Sequence, residues 1–455
     1  MIHYRTAVME TSREPLDIAV ALTCSGLFGT YVVYEHPGGW YVAGGIAAEV
    51  VVTADSVRCI RQGNTTEEPW YGDPLGAVQQ FLATLPIADW TAYGWAAFEL
   101  AHAVAEMPVD SGVLLHLVVP ETEVLLDGGR ALLRSTHSGT LSAVETVVAH
   151  AEALADTARP TVQVNLDAGA DTYRGAVASV VADIRAGALQ KAVLSRVVPV
   201  DGDLDFPATY AAGRRANTPA RSFLLRMGDL QCLGFSPETV VEVDASGRVA
   251  SQPLAGTRAL TGDVGTNRRL REDLLADPKE LHEHAISVKV AVDELTGPCE
   301  PDTVMVEEYM SVKERGSVQH LASRVVGRIP QGAGPWDAFA AVFPAVTASG
   351  VPKRPAYEAI RRYESGPRGP YAGTVLRVTQ DGSMDAALVL RSVYAQKGLT
   401  WLQAGAGIVE QSRPERELEE TKEKLRCVAR TLVARGDGSL EPVRLAATAD
   451  ERSHH

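Results

Sequence analysis

Residues 190–196 read Gln-Lys-Ala-Val-Leu-Ser-Arg, which places Lys191 inside a run of apolar residues. The run continues with the β-branched residues Val197, Val198 and Val200, and such a composition favours a β-strand that is buried on at least one face. A buried lysine is costly unless it is paired with an opposite charge or gives up its proton, and in the second state lysine can act as a general base. The alternative is a lysine at a strand end whose ammonium group reaches solvent.

The segment before this strand is typical of an amphipathic helix. Asp171 can cap its start, and Gly187 can end it. The apolar positions between them recur at helical spacing, namely Tyr173, Val177, Val180, Val181 and Ile184. A helix followed by a buried strand is therefore predicted around the lysine.

The first 170 residues alternate between strand and helix patterns. Helical patterns cover a lead-in at 1–27 and the stretches 73–85 and 142–157, and strand patterns cover 31–34, 40–43, 49–52, 90–97 and 113–119. The turn Pro37-Gly38-Gly39 separates the first two strands. Arg159-Pro160 and the polar stretch to residue 170 form the best candidate for a linker.

The rest of the chain mixes the two patterns in the same way. Strands are predicted within 222–258 and at 371–378, 385–394 and 399–409, and helices at 277–295, 336–342, 357–363 and 412–433. Ser412-Arg413-Pro414-Glu415 has the pattern of a capping box at the start of the last helix. These patterns predict a mixed α/β (α+β) fold with long antiparallel strand runs and helices outside them.

Composition limits the kinds of partner that the protein can have. The chain has 455 residues, 45% hydrophobic content and a net charge of −14, which argues against nucleic acid or an anionic membrane as a partner. Five widely spaced cysteines without a CxxC motif indicate a reduced, cytoplasmic protein without structural zinc. We see no secretory signal and no apolar run of about 18 residues, the length that a membrane helix needs.

Two pairs of glutamates are the first candidates for chemistry. Glu280 and Glu283 are three residues apart on one predicted helix, and Glu417 and Glu420 are three apart on another. This spacing puts both carboxylates of a pair on one helix face, and four such oxygen donors suit Mg²⁺. Taken alone, each pair is more simply explained as a solvated helix face.

Other candidate residues lie at turns and in glycine loops. Glu238 follows an apolar strand, Arg391 lies inside a strand pattern, and Lys424 shares a helix face with Glu420. The small-residue loops Pro253–Arg258 and Ala404–Gly407 allow the backbone to approach a ligand closely. No nucleotide-binding glycine motif is present.

In combination, these segments resemble the chorismate-utilising family of anthranilate, aminodeoxychorismate, isochorismate and salicylate synthases. The matching segments, in order, are the Lys191 strand, Ser236–Glu238, Pro253–Arg258, Lys279–His284, Ser317–Leu321, Phe343–Lys353, Ala404–Val409 and Pro414–Leu425. The resemblance covers roughly residues 171–430. It implies the chorismate-binding fold, in which large antiparallel sheets pack as a sandwich. We accordingly divide the chain into an N-terminal portion (1–165) that completes the fold, a catalytic region (166–435) and a tail (436–455) that resembles a tag remnant at its end.

Two positions separate the branches of the family. Members that use ammonia carry glutamine where this chain has Lys191, and a lysine there fits activation of water. The aminodeoxychorismate branch has a nucleophilic lysine where this chain has Ala255. No amidotransferase subunit is therefore expected. Trp95–Glu99, Arg315–Leu321 and Phe343–Gly350 look closest to actinobacterial salicylate synthases of siderophore pathways, whereas Gln252 replaces an expected glutamate.

The resemblance also implies roles for individual residues. Lys191 would be the base and Glu238 the acid, with His320 and Thr257 near the reacting ring. Mg²⁺ would be bound by Glu280, Glu283, Glu417 and Glu420. Chorismate would be held by Leu254, Gly256, Tyr371, Arg391, Gly405, Gly407 and Lys424. The expected product is salicylate with pyruvate, made by a cytoplasmic monomer. An isochorismate synthase and a non-catalytic binding protein are the alternatives.

Overall fold

The computed structural model describes residues 1–61, 63–109, 112–154, 161–316 and 318–436. The N-terminal portion contains β1 (Arg5–Glu10), α1 (Pro15–Cys24), β2 (Tyr31–His36), β3 (Gly39–Gly44), β4 (Ala48–Thr53), β5 (Ser56–Arg61), β6 (Asn64–Pro69), α2 (Pro74–Ala83), β7 (Thr91–Ala96), α3 (Leu100–Val104), β8 (Val113–Val119), β9 (Thr122–Asp127), β10 (Arg130–Ser135) and α4 (Ser138–His150). Arg159, Pro160, Ser317 and nearly all of the predicted tail lie outside the described residues.

The middle of the chain contains α5 (Ala170–Arg185), β11 (Lys191–Pro199), α6 (Phe206–Ala216), β12 (Arg221–Met227), β13 (Leu230–Ser236), β14 (Thr239–Val243), β15 (Arg248–Ser251), β16 (Leu254–Ala259), α7 (Val264–Ala276) and α8 (Pro278–Thr296). The last part contains β17 (Met305–Arg315), β18 (Val318–Arg328), α9 (Pro335–Val342), β19 (Gly350–Val351), α10 (Lys353–Tyr363), β20 (Thr374–Thr379), β21 (Met384–Leu388), β22 (Ser392–Gln396), β23 (Leu399–Ile408) and α11 (Pro414–Ala429).

Two large sheets organise these strands. Within the described residues, the first sheet has eleven strands in the order β1-β10-β9-β3-β2-β12-β13-β22-β23-β11-β19. The second has twelve, of which eleven follow the order β16-β18-β15-β14-β21-β20-β7-β8-β4-β5-β6, and β17 pairs with β18. Strands from the two sides of residue 165 meet in both sheets, at the β2–β12 pair and at the β7–β20 pair. The division of the chain at residue 165 stays a prediction.

The core explains why the sheets face each other. One apolar cluster joins residues of both sheets, such as Tyr34 on β2 with Tyr93 on β7 and Val241 on β14. A second cluster packs helices against the outer face of the first sheet, for example Ile18 of α1 against the strands that carry Val33 and Leu224. The predicted α/β fold with sandwiched antiparallel sheets and outer helices is thus confirmed.

Some local predictions are wrong. The helical lead-in begins as a strand, because Arg5–Glu10 pairs with β10 at a sheet edge. Ser412 does not cap the last helix, since Arg413 is the N-cap residue and the Ser412 hydroxyl accepts a hydrogen bond from the N–H of Val409. The part of the predicted linker that is described is docked, with Thr161 bridged to Val433. No helix of the described residues is long and apolar enough to cross a membrane.

Candidate active site

A cleft of about 760 Å³ opens at the end of the first sheet that carries the lysine strand. Its walls come from β11, β16, β18, β23, α8 and α11 together with the loops before β14 and β22. All the candidate residues named from the sequence line this cleft except Glu417. Segments far apart in the chain therefore meet at one site.

Lys191 is buried at the start of β11. Its residue is 3% exposed, and its Nζ lies 2.8 Å from Oε1 of Glu283 on α8. β11 pairs with β23, where a Cβ on Gly407 would lie 2.9 Å from Oε1 of Glu283 and 3.3 Å from Cε of Lys191. Because residue 407 is glycine, no side chain fills the space that the Lys191–Glu283 ion pair occupies. The prediction of a buried lysine is confirmed, and a solvent-reaching lysine is excluded. Of the two ways in which a buried lysine can be stabilised, the structure shows pairing with an opposite charge.

Glu238 is a buried acid between β13 and β14. It is 3% exposed, and its Oε1 accepts a hydrogen bond of 2.6 Å from the hydroxyl of Thr347. Burial raises the pKa of Glu238 to about 8, although Thr347 and the charge of Lys191 act in the opposite direction. Near neutral pH most Glu238 side chains carry a proton, so this carboxyl can serve as a proton donor in the cleft that Lys191 lines.

Glu280 and Glu283 lie in the first turns of α8, which Asp277 caps. Glu280 accepts hydrogen bonds from Arg258 Nη1 at 3.2 Å and from the N–H of Thr257 at 3.3 Å. Burial and the neighbouring Glu283 raise the pKa of Glu280. Burial would also raise the pKa of Glu283, but the attraction of Lys191 outweighs it and holds that pKa below its usual range.

Glu417 and Glu420 lie in the first two turns of α11. Oε1 of Glu420 is 2.9 Å from Nζ of Lys424, one helical turn further on. Glu417 is 1% exposed, and its Oε2 has no hydrogen-bond partner within the part of the chain that the structure describes. Burial and the nearby Glu420 raise the pKa of Glu417. A buried carboxylate oxygen without a partner is costly, and a cation would satisfy it.

The four glutamates fit a hard divalent cation by their chemistry, since they offer only oxygen donors. No three His, Cys, Asp or Glu side chains among the described residues are gathered into a ready-made metal site. Lys191, Arg258 and Lys424 instead hold Glu283, Glu280 and Glu420 by ion pairs. Side chains thus supply positive charge to three of the four glutamates, whereas Oε2 of Glu417 has no hydrogen-bond partner among the described residues and could accept a cation.

A chain of hydrogen bonds connects the strands on the opposite side of the cleft. Arg391 Nη2 donates to Nε2 of His320 at 2.8 Å, so Nδ1 of the neutral ring carries the proton and donates to the hydroxyl of Thr257 at 3.0 Å. Burial, with the charges of Arg391 and Lys424, holds the pKa of His320 well below its usual range. Among the described residues, the partners of Arg391 are His320 and the carbonyl of Arg315, both neutral. Its charge remains available to an anion.

Tyr371 and Lys424 face the glycine strand β23. The N–H of Gly405 binds the hydroxyl of Tyr371, and burial raises the pKa of Tyr371 to about 12. Nζ of Lys424 donates to the carbonyl of Gly405 at 2.8 Å. A Cβ on Gly405 would lie 2.6 Å from the carbonyl oxygen of Leu194, so a side chain does not fit there.

Leu254 and Gly256 on β16 line a further part of the cleft wall. Gly256 has φ +86°, and a Cβ there would lie 3.3 Å from Oε2 of Glu280. Gln252 lies just before this strand and does not line the cleft. Gln252, which stands where the resemblance implies glutamate, therefore contributes no side chain to the cleft wall.

Sequence reasoning missed two residues of the site. Thr347 binds the carboxyl of Glu238, and Arg258 forms ion pairs with Asp273, Asp277 and Glu280. Both lie inside motifs that the sequence displays, Phe343–Lys353 and Pro253–Arg258. The signal was their polar character within otherwise small or apolar stretches.

The chain is similar to several known proteins. Residues 29–430 match the family described as chorismate binding enzyme. The chain is 41% identical over 428 residues to the salicylate synthase of Mycolicibacterium paratuberculosis (strain ATCC BAA-968 / K-10), covering 93% of this chain and 94% of that protein. It is 38% identical over 266 residues to anthranilate synthase component 1 of Methanothermobacter thermautotrophicus, covering 58% and 57%. The menaquinone-specific isochorismate synthase of Escherichia coli shares the fold, with a TM-score of 0.71, 21% identity and 95% coverage of both chains.

Proposed function

The chain belongs to the family of chorismate-binding enzymes, and from this premise we propose that it is a Mg²⁺-dependent salicylate synthase. It would convert chorismate through isochorismate into salicylate and pyruvate. The observation that carries the proposal is that Lys191 and the protonated acid Glu238 line the same cleft. The nearly full-length similarity to a salicylate synthase supports the choice of branch.

In the first step, Lys191, which is charged in its ion pair with Glu283, would first release its ammonium proton and then take a proton from a water molecule that attacks C2 of chorismate. The ring double bonds shift, and the C4–O bond breaks. Glu238 gives its proton to the departing hydroxyl, which leaves as water. Because one water enters and one leaves, chorismate and isochorismate are isomers. A base and an acid that flank the ring suit this displacement, and the raised pKa of Glu238 keeps the acid protonated near neutral pH.

In the second step, the hydrogen on C2 moves to the methylene carbon of the enolpyruvyl group. The ether bond breaks, the ring becomes aromatic, and salicylate and pyruvate result. This internal transfer needs little help from acids or bases. It mainly requires the substrate to be held in one conformation.

Chorismate is a dianion, and the cleft offers charges for both of its carboxylates. Arg391 and Tyr371 would hold the enolpyruvyl carboxylate, with Lys424 and the backbone of Gly405 in support. Leu254, Gly256 and Gly407 would shape the wall against the ring, while His320 and Thr257 fix the orientation of Arg391 through their hydrogen bonds. Mg²⁺ held by Glu280, Glu283, Glu417 and Glu420 would supply a hard positive charge for the ring carboxylate.

The remaining parts of the proposal follow from this assignment. We expect residues 1–165 to complete the fold and residues 166–435 to carry the catalytic groups. We also expect a cytoplasmic monomer that needs no amidotransferase subunit. Its product would serve the synthesis of siderophores or related aryl acids.

One incubation tests the proposal. The full chain is mixed with chorismate and Mg²⁺, salicylate is followed by its fluorescence, and pyruvate is followed with a coupled reductase. We expect equal amounts of both products, with isochorismate visible by chromatography as an intermediate. Isochorismate as the sole lasting product, without pyruvate above background, would make the protein an isochorismate synthase. No change in chorismate would overturn the assignment altogether.

A further inference from the structure

Arg368 lies buried behind the cleft. The proposed roles of Lys191 as base and Glu238 as acid do not account for a buried arginine there. It is 2% exposed and does not line the cleft. Its Nη2 donates to the carbonyl of Val193 at 2.5 Å, and its Nη1 donates to the carbonyl of Ala348 at 2.8 Å. Val193 lies two residues after Lys191 on β11, and Ala348 directly follows Thr347. One guanidinium therefore joins the backbone that carries the base to the backbone next to Thr347, whose hydroxyl binds the acid Glu238.

Glu364 completes the connection from the other side. Arg368 Nε donates to Oε2 of Glu364 at 3.0 Å, and Nη2 also donates to Oε1. Glu364 in turn accepts the N–H of Ser195 at 2.6 Å and the Ser195 hydroxyl at 2.9 Å. The ion pair is almost wholly buried, with 1% exposure for the arginine side chain and 6% for the glutamate. The strand that begins with Lys191 is thus held at two residues, Val193 and Ser195.

Two residues of the sequence segment 95–99, Phe98 and Glu99, contact Arg368. The centre of the Arg368 guanidinium lies 4.4 Å from the centroid of the Phe98 ring. Glu99 accepts the N–H of Arg368 at 2.7 Å and the N–H of Gly369 at 3.0 Å. These contacts hold the arginine from the segment that follows β7 of the second sheet. We call Phe98, Glu99, Glu364 and Arg368 the Arg368 cluster.

We propose that the Arg368 cluster is a positioning device that fixes the base Lys191 relative to the acid Glu238 across the substrate ring. The proposal rests on the proposed function and deepens it. Arg368 touches neither substrate nor reacting atoms and acts through the backbone of Val193 and Ala348. The planar fork of arginine reaches both carbonyls and both Glu364 oxygens at once, which the single nitrogen of lysine cannot do.

The two chemical steps respond differently to such a device. The first step needs a base and an acid at fixed places on opposite sides of the ring, and a misplacement of about 1 Å can cost about 10²-fold in rate. The second step is an internal hydrogen transfer that uses neither group. Loss of the cluster therefore harms the formation of isochorismate more than its breakdown.

The test is Arg368→Lys in the full chain with Mg²⁺, with the two steps measured separately. Isochorismate formation is followed from chorismate, and pyruvate release is followed from added isochorismate. We expect kcat of the first step to fall about 10²-fold and the second step to keep most of its rate. Glu364→Gln, which removes the charge but keeps the shape, is expected to act in the same direction and serves if Arg368→Lys does not fold.

Arg134→Lys is the matched control. Arg134 is a partly buried arginine that pairs with a glutamate, Glu123, and donates to a backbone carbonyl, that of Asp89, at 2.8 Å. None of these residues lines the cleft. We expect this variant to lower the melting temperature without changing the ratio of the two steps.

The outcomes separate the two proposals. If Arg368→Lys slows both steps equally, or only lowers the melting temperature as Arg134→Lys does, the cluster is structural and the positioning role is wrong. If the unchanged protein forms no isochorismate from chorismate, the proposed function itself fails before any variant is compared.

Discussion

Nζ of Lys191 lies 2.8 Å from Oε1 of Glu283, so the proposed base and a proposed metal ligand form one buried ion pair. Removing either partner leaves the other without its counter-charge in a poorly solvated place. A substitution at either position therefore tests both chemistry and packing. Neutral replacements of similar shape are the informative ones, because they remove the charge with the least loss of volume.

Lys191→Gln should lower the rate of isochorismate formation by about 10²–10⁴-fold, the usual contribution of a general base. The measurement is initial-rate chorismate consumption at saturating Mg²⁺, with folding checked by circular dichroism. Lys289→Gln on the exposed face of α8 is the control, since the one ion pair of Lys289 within the described part of the chain is with Asp293, away from the cleft. Near-normal turnover of a folded Lys191→Gln protein would remove Lys191 from the mechanism.

The first step should lose activity as the pH rises through about 8. Burial raises the pKa of Glu238 to that value, and the proposed acid is active only while it is protonated. Above this pH, kcat/KM for isochorismate formation should fall tenfold per unit. The Glu238→Gln protein should show a low rate without this decline. A wild-type profile that stays flat to pH 10 would contradict the role of Glu238 as the acid.

Glu238→Gln should also change stability in a pH-dependent way. The pKa of Glu238 in the folded protein exceeds the usual 4.5. Between about pH 4.5 and pH 8, the folded state therefore still holds a proton that the unfolded chain has already released. Stability of the wild type therefore falls across this window, by about 1.4 kcal/mol per unit of pKa shift at most. The melting temperature of the variant relative to wild type should rise from pH 5 to pH 8 and then level off. A constant difference would show that Glu238 is not protonated in the fold.

Chelation should abolish turnover, and Mg²⁺ should restore it. Independent of activity, added Mg²⁺ should raise the melting temperature, because a ligand that binds only the folded state stabilises it. This rise should shrink in Glu283→Gln and Glu420→Gln. Glu419→Gln serves as control, since Glu419 lies on the outer side of α11 with Lys422 and Arg426. An equal Mg²⁺ response in all the variants would show that these glutamates do not bind the metal.

Arg391→Ala should mainly raise KM for chorismate. A hydrogen bond to a charged group contributes about 1.5–3 kcal/mol, which corresponds to about 10–100-fold in affinity. The change also leaves Nε2 of His320 without its donor, so steady-state kinetics should be paired with a direct binding measurement. An unchanged KM with a lowered kcat would place Arg391 in the chemical step and not in binding.

The sequence predicted Arg391 as a strand residue in need of an anionic partner, and the difference from the structure is instructive. The stretch 385–394 is two strands, β21 and β22, separated by a bend in which Arg391 has φ +52°. Alternation of apolar residues does not reveal such a bend, because the strands on both sides keep the pattern. The bend turns the guanidinium towards His320, a residue 71 positions away.

The family resemblance named most residues of the cleft, and local patterns placed several of them on strands and helices, but neither predicted their pairing. The motifs around Lys191 and Glu283 are readable as a buried strand and a glutamate-bearing helix, and both are confirmed. Their ion pair joins residues 92 positions apart, and only the packing of α8 against the sheets brings them together. The capping box at Ser412 failed for a different reason, which is local. The hydroxyl of that serine accepts a hydrogen bond from the N–H of Val409, three residues earlier, in the turn between β23 and α11.

The junctions between the N-terminal strands and the later ones have a consequence for synthesis of the chain on the ribosome. β7 ends at Ala96, whereas its partner β20 begins at Thr374. At roughly 5–20 residues per second, one edge of β7 stays unpaired on the order of tens of seconds until β20 has been synthesised. An apolar strand with an open edge invites pairing with other chains. We expect nascent chains stalled before Thr374 to need chaperones, and solubility of such chains in a chaperone-free translation system would contradict this.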